Sequence, residues 1–309
     1  MQKHSVQYIT ITSDFIGQRI DNFLITRLKG VPKTHIYRIL RKGEIRVNKK
    51  RIKPSYHLAE NDQVRLPPIR LAEKNILTPD RKLMTILSNR ILYEDNALLI
   101  INKPSGWPVH GGSGVKLAII ETLRCMYPKS PHLELAHRLD ADTSGCLILS
   151  KKRSVLKELH ELLRSGKIRK IYWALTKGHW TPSQFRVEVP LHKSHLSSGE
   201  RMVRVHRDGK PSLTKFNPLK SFNDVMLVEA VLETGRTHQI RVHAQYAGHP
   251  IAGDDKYGDK EFNKLMRKRG LRRLFLHAYS IEFILPSTKQ HIKINAPLDM
   301  DLKKVLEVK

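Results

Sequence analysis

The chain has 309 residues, enough for two folded domains, and 40% of them are hydrophobic, so a sizeable core can form. Its formal net charge is +27 at pH 7, an excess that repels itself in a compact fold and calls for a polyanionic partner. No apolar run reaches the roughly 18 residues of a membrane-spanning helix. The opening MQKHSVQYIT lacks the apolar stretch of a secretory leader, and the two cysteines, Cys125 and Cys146, form no CxxC. These features argue against a membrane protein, a disulfide framework and a zinc ribbon. They predict a cytoplasmic protein with two buried, reduced thiols and a nucleic-acid partner.

Alternation over Gln7 to Thr12 predicts a short strand. Arg19 to Leu28 places Ile20, Phe23, Leu24 and Leu28 near helical spacing, with Gly30 as the stop. Pro32 suits the first turn of a second helix, KTHIYRILRK, whose Ile36, Ile39 and Leu40 share one face and whose end is Gly43. A hairpin is expected next, from Ile45 to Val47, through a turn at Asn48 and Lys49, and onward from Arg51; Gln63 to Leu66 is a further strand. Arg38, Arg41, Lys42, Arg46, Lys49, Lys50, Arg51 and Lys53 are opposed over residues 38–53 only by Glu44. A charge run is ordinarily a solvated face. This one crosses a helix end, a hairpin and a turn almost without balancing acid, which favours a phosphate-binding surface. The stretches GQRIDNFLITRL and VPKTHIYRILRKGEIRVNKKRI resemble the S4 RNA-binding domain. The domain is expected over residues 1–75, with a proline- and charge-rich linker without clear period at 76–89 and a larger domain at 90–309.

In the larger domain, ILYEDNALLIIN reads as two strands around an Asp-Asn turn, and KPSGWPVHGGSG, Lys103 to Gly114, as a loop. Leu117 to Met126 suits a helix, Cys146 to Ser150 a buried strand, and Val155, Leu156, Leu159, Leu162 and Leu163 an amphipathic helix stopped by Gly166. IYWALT, Val225 to Leu232 and RLFLHAYSIEFIL supply more strands, and Thr237 is placed to cap the helix HQIRVHAQYA. The mixture lacks a βαβ rhythm, so the fold class is α+β with a largely antiparallel mixed sheet.

The chemistry centres on AHRLDADTSG, Ala136 to Gly145. Asp140 precedes a buried strand, which fixes its backbone while its side chain can face a cleft. A carboxylate is ionised at neutral pH and can act as a nucleophile with no base beside it. It must stay charged when substrate expels water, which calls for an arginine partner. Arg138 and Arg241 are both candidates, and a plain surface pair of Asp140 with Arg138 would satisfy the same residues.

HRLDADTSG is similar to the signature of the HRLD-motif, large-subunit rRNA pseudouridine synthase family. KIYWAL, Lys170 to Leu175, resembles the second motif of that family, and ETGRTHQIRVHAQYAGHPIAGDDKYGD, Glu233 to Asp259, the third. Similarity continues through SGERMVRV, GKPSLTKF and RLFLHA. The resemblance implies a catalytic domain joined to S4 that isomerises several uridines of 23S rRNA, free or in a large-subunit assembly intermediate. It implies Asp140 as nucleophile, Tyr172 as the face on which uracil stacks and an aid in deprotonating C5, and Arg241 as the partner of Asp140. Arg138 would reach into the RNA and Ile240 would pack on the base. Arg38, Arg41, Lys42, Arg46, Lys49, Lys50 and Arg51 would contact RNA from the S4 domain. The isomerisation is redox-neutral, so neither cofactor nor metal is expected, and a monomer is the default.

Two other readings use the same residues. An S4-type assembly factor with a vestigial synthase domain would explain the charge, but would be expected to have lost Asp140, Tyr172 or Arg241. A two-metal nuclease could draw on Asp142, Asp254 and Asp255, although Asp254 and Asp255 are better placed to order the loop after the helix. His238 and His243 are poorly spaced for shared ligation. His137 and His277 are expected to satisfy buried backbone, and Lys103 and His110 to line an RNA groove.

Overall fold

The chain divides into two units, Met1–Thr78 and Pro79–Lys309. The structure, a computed structural model, describes residues 5–28, 30–69, 81–111, 118–195 and 201–307. Positions 70–80, Gly112, Gly114, Leu117 and Ser198 to Glu200 of the stretches discussed above lie outside the described residues.

The first unit runs β1 (Gln7–Thr10), α1 (Ile20–Arg27), α2 (Lys33–Lys42), β2 (Arg46–Val47) and β3 (Gln63–Leu66). Its sheet has the order β1-β3-β2, all antiparallel. Ile20, Phe23 and Leu24 of α1 and Ile36, Ile39 and Leu40 of α2 meet Val47, Val64 and Leu66 in one buried cluster, so the apolar face of each helix is its core face. Gly43 ends α2 in the left-handed region at φ 70. Its N–H donates to Leu40 O and that of Glu44 to Ile39 O, both at 3.0 Å, which satisfies carbonyls the helix leaves open. The expected hairpin through Arg51 is only a tight turn. Asn48 and Lys49 both adopt positive φ, Val47 N–H and Lys50 O close the turn at 3.1 Å, and β2 pairs with β3 instead. That pairing sets buried Val47 opposite buried Val64.

The second unit runs α3 (Arg81–Ser88), β4 (Ile91–Glu94), β5 (Leu98–Lys103), α4 (Ile119–Met126), β6 (Glu134–Leu135), β7 (Ser144–Ser150), α5 (Arg153–Arg164), β8 (Arg169–Lys177) and β9 (Arg186–Glu188). It continues through β10 (Leu191–His195), β11 (Arg201–Val205), β12 (Leu213–Phe222), β13 (Val225–Leu232), α6 (Gln239–Tyr246), α7 (Lys260–Lys268), β14 (Leu276–Ile284), β15 (His291–Asn295) and α8 (Met300–Glu307). Ten strands form one sheet in the order β4-β5-β7-β14-β8-β13-β12-β9, with β15 on β14 and β6 on β7. Every described pairing in it is antiparallel except β7 with β14, which is the mixed, largely antiparallel α+β architecture expected.

The centre of the sheet follows from composition. β5 and β7 are buried along their whole length, as near-continuous apolar strands must be. α5 lays Val155, Leu159 and Leu162 against them, and a fully buried leucine side chain is worth roughly 1.5–3 kcal/mol. Gly145, the last residue of HRLDADTSG, holds φ +109, and a β-carbon there would lie 2.3 Å from Ala278 O. Only glycine lets β7 enter beside β14 at this point. Two expectations need correction. Part of the expected linker is helix α3, anchored by Leu83 and Leu87, one turn apart and fully buried. Cys125 is exposed, because α4 turns Ile119, Ile120 and Leu123 inward; Cys146 is buried, and burial pushes its thiol up to about 12.

Candidate active site

Three segments distant in sequence bring their side chains to one cavity of about 560 Å³. Asp140 comes from the turn that feeds β7, Tyr172 from β8, and Ile240 and Arg241 from the first turn of α6. β7 and β8 both pair with β14, whose Leu276 also lines the cavity. Arg138, exposed, stands at the same cavity. All five residues expected at a catalytic centre therefore meet. Arg38, Arg41, Lys42, Arg46, Lys49, Lys50 and Arg51 lie in the first unit, and all are exposed.

The backbone at Asp140 is held from both sides. Thr143 N–H donates to Asp140 O at 3.2 Å, closing the turn, and Gly106 N–H donates to Ala141 O at 2.9 Å. Lys103, fully buried at the end of β5, donates to Pro104 O, Trp107 O and Ala141 O at 2.7–2.8 Å. It therefore cannot line an RNA groove, contrary to expectation; it clamps the loop after β5 onto the Asp140 turn. Burial lowers its pKa to about 7 against the pull of Asp142 and Asp140. Ser105 Oγ completes the clamp on Asp142 O at 2.7 Å.

Asp140 keeps about a fifth of its side chain exposed, and Oδ2 lies 3.6 Å from Arg241 Nη1 and 3.7 Å from His238 Nε2. Both distances are longer than hydrogen bonds, so the carboxylate has a positive charge beside it without a tight bond to saturate it. Arg241 makes its tight contacts elsewhere. Its Nε and Nη2 each donate to Asp254 at 2.7 Å, a bidentate fork between side chains only 7% and 1% exposed. Asp254 Oδ1 also accepts the N–H groups of Lys256 and Tyr257 at 2.9 Å. Burial pushes the Asp254 carboxyl up, but the Arg241 hydrogen bonds and charge outweigh it and hold the group below its ordinary value. The Tyr257 ring lies 5.0 Å from the Arg241 guanidinium. Arg241 is thus aimed by Asp254 and Tyr257 and presents its remaining edge, Nη1, to Asp140. The sequence pointed to Arg241 and to a loop-ordering Asp254, but not to their joining.

Tyr172 is buried, and burial, with the nearby Asp140 charge, raises its hydroxyl above the ordinary tyrosine range. It is a neutral phenol at physiological pH. His137 Nε2 accepts the Ile148 N–H at 3.1 Å, and His277 sits between Ser144 Oγ (2.8 Å) and Ala296 O (3.0 Å). Both satisfy buried neighbours, as expected, and burial pushes both imidazoles down to about 4. The expected cap of α6 is displaced by one residue. His238, not Thr237, is the N-cap, with φ 54 and no capping hydrogen bond from its side chain. Among the described residues, no three His, Cys, Asp or Glu side chains gather as metal ligands. Asp254 is taken by Arg241, and Asp255 faces solvent and Arg267.

The sequence matches the family described as RNA pseudouridylate synthase over residues 97–246 and the S4 domain over residues 18–64. It is 56% identical over 304 residues to ribosomal large subunit pseudouridine synthase C of Pasteurella multocida (strain Pm70), covering 98% of this chain and 93% of that protein. The protein of the same name from Escherichia coli (strain K12) is 53% identical over 307 residues, with 98% and 96% covered. Among solved structures, human RNA pseudouridylate synthase domain containing 4 is similar with TM-score 0.60 at 29% identity, covering 73% of this chain and 95% of that one. With its motifs gathered at one cavity and its relatives matched along nearly its whole length, the chain belongs to the RNA pseudouridylate synthase family and carries an S4 domain ahead of the catalytic one.

Proposed function

We propose that the protein converts several uridines of 23S rRNA to pseudouridine, with Asp140 as nucleophile, acting as a monomer in the cytoplasm on free RNA or an assembly intermediate. The observation that carries this reading is the meeting of Asp140, Tyr172 and Arg241 in one cavity. The names of the 53–56% identical relatives supply the substrate class.

The target uridine leaves its stack to be reached. Tyr172 gives the base a face to rest on, worth about 1–3 kcal/mol in single-strand binding, and Ile240 packs on it. Arg138, exposed and planar at its head, fills the vacated place in the RNA. Asp140 attacks C1′ and the N1–C1′ bond breaks, its electrons leaving with the uracil. The base turns, C5 takes C1′, and the carboxylate is released. C5 then loses its proton and N1 gains one, so the product is an isomer and the step draws on no oxidant or metal. A protonated Tyr172 is not a base, so the freed Asp140 carboxylate receives the C5 proton. Arg241 keeps Asp140 charged throughout, because a guanidinium does not deprotonate in this range. The residues of the S4 domain, proposed to span 1–75, hold flanking phosphates.

Tritium release from rRNA carrying 5-tritiated uridine, measured in chelator, tests the reading. Release without strand cleavage is expected from the native chain, and none from Asp140→Asn. Tight binding with no release from the native chain would instead fit an assembly factor.

A further inference from the structure

His238 lines the same cavity, and the reaction above leaves its geometry unused. It occupies the left-handed region at φ 54, which a residue with a β-carbon rarely adopts. It stands at the N-cap of α6, where a side chain ordinarily accepts a helix N–H, yet it makes no such bond. The ring is turned the other way. Nδ1 lies 2.8 Å from Tyr257 Oη, and Nε2 lies 3.7 Å from Asp140 Oδ2. Tyr257 Oη accepts the Val203 N–H of β11 at 3.0 Å. Tyr257 and Val203 pack with Leu191 and Val242 in a buried cluster, so the phenol oxygen is fixed by the β10–β11 hairpin and α6 together. Strained backbone kept for a polar contact in a cleft is the pattern of a functional constraint.

We propose that His238 is a positioning residue for this reaction: its Nε2–H directs Asp140 Oδ2 toward C1′, and Tyr257 fixes the ring and its tautomer. The phenol has one proton to give. Accepting from Val203, it donates to Nδ1, which leaves the imidazole hydrogen on Nε2, facing the carboxylate. Arg241 supplies charge to Asp140 from one side and His238 direction from another. Neither is at hydrogen-bond distance, so substrate can draw the carboxylate inward without breaking a tight bond. The hairpin enters the same chain of contacts: a shift of β11 moves Tyr257, then His238, then Asp140.

The proposal rests on Asp140 as the nucleophile, and the test separates the two. Single-turnover tritium release and RNA binding are measured for the native chain, His238→Ala, His238→Asn, His238→Gln, Tyr257→Phe and Asp140→Asn. Asparagine tolerates the left-handed backbone but is too short to reach Asp140; glutamine reaches with an N–H. His238→Ala and His238→Asn are expected to slow the bound-state rate by about tenfold to a hundredfold, the scale of an ångström of misplacement, with RNA affinity unchanged. His238→Gln should recover most of the rate, and Tyr257→Phe should fall between. Nitrogen NMR of the His238 ring should report the Nε2-protonated tautomer in the native chain. A native rate in His238→Asn overturns the proposal. So does a His238→Gln as slow as the alanine variant, loss of affinity with the rate intact, or the Nδ1-protonated tautomer. If Asp140→Asn is dead while His238→Asn is fully active, only this inference fails. An active Asp140→Asn removes the reading beneath it.

Discussion

Positive charge does two different jobs in the two units. In the first unit Arg38, Arg41, Lys42, Arg46, Lys49, Lys50, Arg51 and Lys53 stand exposed along α2, β2, the turn after it and the chain beyond. In the second, Arg241 is 6% exposed and locked to Asp254 at 1%. Exposed charges act at long range, are screened by salt and substitute for one another. A buried guanidinium with one carboxylate as its tight partner has no substitute, since losing the partner strands a charge where water cannot reach it. Loss of function should therefore be graded in the first unit and abrupt in the second.

The largest effect should come from the proposed nucleophile. Asp140→Asn is expected to reduce tritium release by at least about a thousandfold while RNA binding persists, because the proposed chemistry depends on one carboxylate and the binding does not. Next comes the buried pair. Asp254→Asn leaves Arg241 without its tight counter-charge and should cost about 3–5 kcal/mol in denaturant unfolding, along with activity. A mild Asp254→Asn would dissolve the contrast between the units. Gly145→Ala forces a β-carbon against Ala278 O at positive φ and should cost at least about 2 kcal/mol, read by the same unfolding curve.

A smaller effect concerns pH. His243 and His277 are fully buried, and burial pushes each imidazole down to about 4. Both stay neutral in the fold, while the unfolded chain takes up protons below about 6.5. Their contribution to stability is therefore fully present above that pH and should fall as pH drops toward 4, these two imidazoles alone adding a slope approaching two protons per molecule. Unfolding curves across this range check it, and a flat profile would mean that the buried imidazoles are not neutral. The smallest change is expected on the exposed surface. Replacing Lys49 and Lys50 by glutamine should lower the log–log salt slope of RNA affinity by about two, with the bound-state rate untouched. A collapse of activity there would put catalysis and binding on the same residues.

Much of this was legible in the chain before the fold. Ile36, Ile39 and Leu40 announced the core face of α2, and Gly43 its end, because helix period and left-handed stops are local properties. Asp140 was legible because a lone carboxylate on a turn before CLILS has its backbone fixed by the strand that follows. Helix α3 was harder to read: Leu83, Met84, Ile86 and Leu87 have helical spacing, but over only eight residues that follow a proline- and charge-rich stretch, and Leu83 and Leu87 alone are buried. Nor was the direction of His238, because Thr237 has the chemistry of a cap and nothing local says that the next residue takes the position in a left-handed conformation.

The sequence by itself determined most of the segments that become helices and strands, where the basic surface lies, and which carboxylate would be held at a turn, since spacing and residue type act over a few neighbours. Only the tertiary structure decided who meets whom. Arg241 finds Asp254 thirteen positions away, Lys103 finds Ala141 O thirty-eight positions away, and Tyr257 receives the Val203 N–H from fifty-four. Such partners carry no period in the chain. Buried polar groups must be paired once water is excluded, and the packing of β7, β8, β14 and α6 determines which pairs can form.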